Sequence, residues 1–266
     1  MSAKYSLESD LELALELAAI ADEITMARYL AQDLLVTTKP DNTPVTDADR
    51  ATEEALRKYL ATARPTDGLV GEEFGNENKD AQRYWVIDPI DGTKNFMRGV
   101  PTWATLIGLV ERQSDGSEKV IVGVASAPAL FRRWFASQNQ GAFTTLNNEK
   151  PRAIKVSQVA ELANASIAYS DFVGWNERLA KFQTLISQCT RSRGYGDFWS
   201  HMLVAEGAVD IAAEPSLALW DMAALDVIVR EAGGTFSNIN GEAGPFGGSG
   251  ISTNSLLHSK VMAALN

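Results

Sequence analysis

The sequence predicts a layered α/β protein, in which an antiparallel sheet with its own helices precedes an alternating α/β half. Three patterns carry that expectation: helical periodicity near the N-terminus, hairpin-linked β segments between Ala104 and Thr145, and alternation of strand and helix signals from Ser166 onward. Residues 6–35 read as a long helix, because Leu7, Leu11, Leu15 and Ala18 recur at about 3.6 residues and Ser9 with Glu12 fits a capping box. Pro40 and Pro44, with Lys39 and Asn42, make 37–44 a loop. A second helical pattern runs through Ala51, Ala55, Leu56, Tyr59 and Leu60, with Thr46 as N-cap and Asp49 near N3. Leu69 and Val70 form a short strand that ends in Gly71-Glu72-Glu73, and the apolar Tyr84–Ile87 form a buried strand that delivers Asp88 to its end.

Strands over Ala104–Val110, Lys119–Ala127, Arg132–Ser137 and Ala142–Thr145 follow, with Ser114-Asp115-Gly116 as a hairpin turn. The polar run at 147–152 marks an expected break between a half over 1–147 and a half over 148–266. In the second half the pattern gives a strand over Ser166–Ser170, a helix from Trp175 to Gln188 and a strand over Arg191–Tyr195. A helix over Phe198–Glu206, a strand over Val209–Ala213, a helix over Met222–Ala232, strands over Thr235–Ser237 and Ile251–Asn254 and a last helix complete it.

Composition narrows the functional classes. Of 266 residues, 45% are hydrophobic and 22% charged, with no apolar run of membrane-spanning length and no leader pattern at the start, so a cytoplasmic protein is expected. A single cysteine, Cys189, rules out an intramolecular disulfide. The net charge of −10 argues against a nucleic-acid surface. Phosphate binding stays open, because acids gathered around divalent cations become attractive to anions.

The chemistry gathers at Asp88-Pro89-Ile90-Asp91-Gly92-Thr93. Two carboxylates on a turn stiffened by Pro89 can share a cation, with the Ile90 carbonyl as a third hard oxygen. Gly92 and Thr93 offer backbone N–H groups and a hydroxyl to a phosphate. Alone, the stretch also reads as an ordinary polar turn; likewise Asp49 reads as a helix-dipole acid and Asp221, in Leu219-Trp220-Asp221, as an N-cap.

Taken together, Val45-Thr46-Asp47-Ala48-Asp49, Gly71-Glu72-Glu73, the Asp88–Thr93 motif and Trp220-Asp221 resemble, in order and spacing, the inositol monophosphatase family of magnesium-dependent phosphatases. The resemblance spans essentially the whole chain. It implies an α/β/α/β/α sandwich with the site between the two halves, and a homodimer acting on a small phosphorylated substrate. By position, Glu72, Asp88, the Ile90 carbonyl, Asp91 and Asp221 would hold two or three Mg²⁺ ions. Asp49 would pair with Thr93, and Glu72 would help hold the attacking water. No covalent phosphoenzyme is then needed, and Cys189 lacks the Arg six positions later that a cysteine phosphatase requires, having Tyr195 instead. His201 and His258 read as structural.

For the alcohol half of the substrate, the resemblance implicates the loop around 193–197 and Glu214. Asp197 is a departure, since the inositol-specific branch carries a small uncharged residue there. Asp197 and Glu214 suit a cationic alcohol, and the Arg193-Gly194-Tyr195-Gly196-Asp197-Phe198 run resembles the family's histidinol-phosphate branch. Hydrolysis of L-histidinol phosphate is therefore expected, with Ile90, Asp91, Gly92, Thr93, Arg193, Asp197, Glu214 and Asp221 around the substrate. An inositol or broad-specificity sugar or nucleotide phosphatase, or a non-catalytic phosphate-binding protein, are the rival readings. Asp197 also reads as an N-cap, and Trp103 as either pocket wall or core.

Overall fold

A computed structural model describes residues 5–40, 42–147 and 149–266; the opening Met1–Lys4 and one position of the expected break lie outside the described residues. Helix α1 (Leu7–Arg28) starts at Ser6, whose hydroxyl accepts the Ser9 N–H at 3.2 Å, so the cap is not the Ser9–Glu12 pair. It also stops short of residue 35. Tyr29 turns extended because its side chain is claimed elsewhere: its hydroxyl donates to Gly99 O at 2.6 Å and its ring packs against Phe96 and Trp103. The expected loop at 37–44, of which Asp41 lies outside the described residues, connects the strands of a small hairpin, β1 (Val36–Thr38) and β2 (Pro44–Thr46), which take in its ends at Thr37, Thr38 and Pro44; Pro44 can join because the ladder there has a free edge.

Helix α2 (Asp47–Ala63) leads into β3 (Gly68–Gly71), β4 (Gly75–Glu77) and β5 (Arg83–Asp91), followed by the short helix α3 (Thr93–Met97). Then come β6 (Ala104–Arg112), β7 (Glu118–Ala127), β8 (Arg132–Ser137), β9 (Ala142–Leu146) and β10 (Arg152–Ile154). These strands make an eight-stranded sheet in the order β10-β9-β8-β7-β6-β5-β3-β4. It is antiparallel except for β3 and β5, which run parallel. The sheet crosses the expected break, since β10 pairs with β9.

The rest of the chain gives β11 (Ser166–Ala168), α4 (Leu179–Gln188), β12 (Arg191–Arg193), α5 (Asp197–Ala205) and β13 (Ile211–Glu214). Helix α6 (Leu219–Glu231), β14 (Thr235–Ser237), β15 (Gly250–Thr253) and α7 (His258–Leu265) follow. The five-stranded sheet runs β12-β11-β13-β15-β14. Helix α6 begins earlier than expected, so Asp221 is its third residue and not its cap.

Burial explains the layering. Along β5, Trp85 and Ile87 face a core shared with α1 and α2, while Tyr84 and Val86 face a core shared with α5 and α6, as the two-residue period of a doubly covered strand requires. The second sheet covers the outer side of α5 and α6, and α4 and α7 pack beyond it around Phe182, Leu185 and Val261. The result is helices, sheet, helices, sheet, helices, the layered α/β architecture expected from the sequence. Helix α6 lies unusually close to the large sheet: a Cβ at Gly123 would stand 2.6 Å from the Ala224 carbonyl. That approach brings Asp221 to the end of β5.

Candidate active site

The site forms where β5 breaks. Between Asp88 and Asp91 the pairing with β6 slips register, and the bulge falls on Pro89 and Ile90. Pro89 has no donor to lose there, and Thr105 Oγ1 donates to its carbonyl at 2.8 Å. Asp88 Oδ1 accepts the Ile90 N–H at 2.9 Å, Asp91 Oδ2 accepts the Phe198 N–H from the start of α5 at 2.7 Å, and Asp221 Oδ2 accepts the Ala218 N–H at 2.7 Å. Each carboxylate is thus aimed by one main-chain donor.

Asp88, Asp91 and Asp221 each offer an oxygen, and these oxygens lie within 4.8 Å of one another. Burial, then repulsion among the neighbouring acids, raises the pKa of Asp88 and of Asp91 well above the carboxylate range. Burial likewise brings Asp221 to about 6. Three oxygen donors within reach of one another fit a small divalent cation such as Mg²⁺, and offer no nitrogen or sulfur to a softer metal.

Glu72 follows β3, its N–H donating to Ile87 O at 3.2 Å. Beside it stands a group that sequence reasoning passed over. Lys39, from the β1–β2 hairpin, lies 2.7 Å from Glu72 and 2.6 Å from Glu73. Burial would lower the Lys39 pKa, but its hydrogen bonds to Glu72 and Glu73 outweigh that and raise it. Glu53, fully buried, was also overlooked: it accepts the Glu73 and Phe74 N–H groups at 2.7 and 3.1 Å while paired with Arg57. Its signal was available, since Glu53 falls four residues after Asp49 on one face of α2. Gly71 gives it room, because a Cβ there would come within 2.1 Å of Glu53 Oε1.

Asp49, expected near N3, closes a capping box with the N-cap Thr46 and does something more. Its Oδ2 accepts both the N–H of Thr46, at 2.8 Å, and the Thr46 hydroxyl, at 2.5 Å, leaving Oδ1 to Thr93 Oγ1 at 3.3 Å. Thr93 Oγ1 also lies 3.0 Å from Ile90 O. Burial lifts Asp49 to about 6.

A cavity of about 150 Å³ opens from this cluster and is lined by Asp91, Ser170, Asp197, His201, Glu214 and Asp221 among others. Asp197 and Glu214, expected on the alcohol side, therefore share a chamber with the metal-side acids. Burial raises Asp197 to about 6, and burial, against the opposing Ser170 hydrogen bond, raises Glu214 to about 8. Asp197 is the first residue of α5 with Gly196 as cap, so it is not the N-cap. Arg193 is exposed on the edge strand β12, its guanidinium donating to Ser192 O at 2.7 Å, apart from this chamber. His201, on the cavity wall, is buried with Nδ1 2.7 Å from Ser252 Oγ and a pKa lowered by burial to about 4. Trp103 is core, its ring 4.9 Å from that of Phe96. Burial holds the Cys189 thiol up at about 11, far from nucleophilic thiolate.

This sandwich, with an oxygen-only acid cluster at a broken strand, defines the class of metal-dependent phosphomonoesterases. The model of the inositol monophosphatase family matches residues 6–266, and the chain belongs to that family, whose members depend on a metal. It is 54% identical to a histidinol-phosphatase of Mycobacterium tuberculosis over 259 residues, covering 97% of this chain and 98% of that one. A histidinol-phosphatase of Streptomyces coelicolor is 52% identical, covering 97% of each. Among solved structures, an inositol monophosphatase from Zymomonas mobilis superposes with a TM-score of 0.85 at 30% identity, over 98% of this chain and 99% of that one.

Proposed function

We propose that this chain hydrolyses L-histidinol phosphate to L-histidinol and phosphate, using Mg²⁺. The observation that carries the reading is the shared chamber: Asp197 and Glu214 stand beside Asp91 and Asp221, so a phosphate held at the metal end places the alcohol half against two further acids. A cationic amino alcohol with an imidazole matches that charge; a neutral polyol leaves buried carboxylates unpaired. The likeness to histidinol-phosphatases supports the same choice.

Glu72, Asp88, Asp91, Asp221 and the Ile90 carbonyl would hold two or three ions. Bound there, such ions would supply charge stabilisation to the phosphoryl oxygens and the leaving alkoxide and lower the pKa of a water. The protein's own residues supply orientation. Thr93 has one hydroxyl proton to share between Asp49 Oδ1 and Ile90 O; were Ile90 O to serve as a ligand, the proton would stay with Asp49 Oδ1 and the hydroxyl's lone pairs would be free to accept from a water. Asp49 stays put because Thr46 saturates its other oxygen. Gly92 and Thr93 present main-chain N–H groups to the phosphate. The homodimer expected from the family resemblance belongs to the same proposal, and sedimentation of the purified chain checks it. Among the described residues no helix is long and apolar enough to cross a membrane.

Phosphate release from L-histidinol phosphate and from myo-inositol 1-phosphate, with Mg²⁺ or with EDTA, tests the reading. Mg²⁺-dependent preference for the histidinol ester is expected. Preference for the inositol ester would keep the metal reading and overturn the substrate.

A further inference from the structure

Asp197 is held in an unusual way. Its φ of +49° puts a non-glycine residue in the left-handed region, a conformation that Asp tolerates better than most residues but that still needs support from its surroundings. Two side chains distant in sequence provide it. The Asp197 N–H donates to Ser170 Oγ at 3.1 Å, and Asp197 Oδ2 accepts from Asn95 Nδ2 at 3.0 Å.

Asn95 sits in α3, two residues after Thr93. Its amide nitrogen also donates toward Thr102 O at 2.9 Å and Thr102 Oγ1 at 3.1 Å. The Thr102 carbonyl can only accept, and so can an ionised Asp197; the amide must therefore turn its NH₂ end to both, which fixes its orientation. Gly92 lets the carboxylate stand this close to the phosphate loop, since a Cβ there would be 3.3 Å from Asp197 Oδ2.

We infer that Asn95 is a positioning residue that sets substrate specificity, by locking Asp197 to the phosphate loop in the orientation that receives a cationic leaving group. The inference rests on the reading of Asp197 as the acid facing the substrate's cation. An amide suits the task because it fixes one carboxylate oxygen without cancelling the charge, as a lysine would, and leaves the second oxygen to the ligand. Through α3, the same short segment that carries Thr93 also carries the brace, so the reacting phosphate and the alcohol-side acid keep a constant separation.

The test is a double-mutant cycle on the full chain with saturating Mg²⁺, reading kcat/KM for L-histidinol phosphate and for myo-inositol 1-phosphate. Asn95→Ala is expected to lower the ratio of the two at least tenfold, mainly through KM for the histidinol ester. Asn95→Asp, of the same shape but with acceptor for donor, is expected to lower it further, and serves if the alanine variant does not fold. In an Asp197→Asn background, Asn95→Ala is expected to change the ratio less than twofold. The Mg²⁺-induced rise in melting temperature should persist in Asn95→Ala. Equal losses on both esters, or an undiminished effect in the Asp197→Asn background, would show Asn95 to be structural only. A wild-type chain without preference for the histidinol ester overturns the substrate reading and this inference with it; wild-type preference that Asn95 variants leave unmoved overturns this inference alone.

Discussion

The acids at the two ends of the chamber are held by different means. Asp88, Asp91 and Asp221 are each aimed by a main-chain N–H, from Ile90, Phe198 and Ala218. On the alcohol side the Asp197 carboxylate is held by a side chain, Asn95, while Glu214 is held by both the hydroxyl and the main chain of Ser170, Ser170 Oγ donating to Glu214 Oε1 at 2.7 Å. A main-chain donor is present whatever residue occupies its position, other than proline, so the aim of Asp88, Asp91 and Asp221 survives sequence change around them. A side-chain anchor disappears with a single substitution.

Substitutions at each end sharpen the contrast. Asp88→Asn removes a charge from the proposed metal cluster and should lower Mg²⁺-dependent phosphate release by about a thousandfold for either ester, with loss of the Mg²⁺-induced stabilisation in a melting assay. A selective loss on one ester would break the division of labour. At the other end, Asp197→Asn should lower the histidinol-to-inositol kcat/KM ratio by about ten- to a hundredfold, the worth of a charge-assisted hydrogen bond. Parallel losses would assign Asp197 to structure.

The turn that carries Glu72 offers a smaller perturbation. Gly71→Ala drives a methyl into the Glu53 carboxylate that holds the Glu73 and Phe74 N–H groups, and should cost about 1–3 kcal/mol in denaturant unfolding. Its Mg²⁺ dependence should shift to higher concentration, because Glu72 leaves that same turn; an unchanged Mg²⁺ titration would detach Glu53 from the site.

The smallest effect is in pH. Glu214 has a folded pKa of about 8, above the unfolded value of 4.5, so the folded chain binds more protons and this contribution to stability is lost as pH rises through 8. In EDTA, the melting temperature should fall by about two to four degrees between pH 7 and 9, and Glu214→Gln should flatten the slope. His201 does not enter that window, since its lowered pKa acts below 6.5. A slope that persists in the Gln variant would place the titration elsewhere in the acid cluster.

The sequence by itself determined the layered class and most strands, because those depend on short-range order: a two-residue period buries β5 on both faces, and the Asp88-Pro89-Ile90-Asp91 spacing sets two carboxylates either side of one bulge, whereas their role as site acids was legible only through the family resemblance. Only the tertiary structure decided where α1 ends, since Tyr29 leaves the helix for Gly99, Phe96 and Trp103 far along the chain. It also turned the 37–44 loop into a hairpin that delivers Lys39 to Glu72, and joined Asn95 to Asp197 across 102 residues. Such pairings leave no periodic trace. They exist because packing α6 against Gly123, and α5 between two sheets, brings remote polar groups together in a low-dielectric interior where each must find a partner.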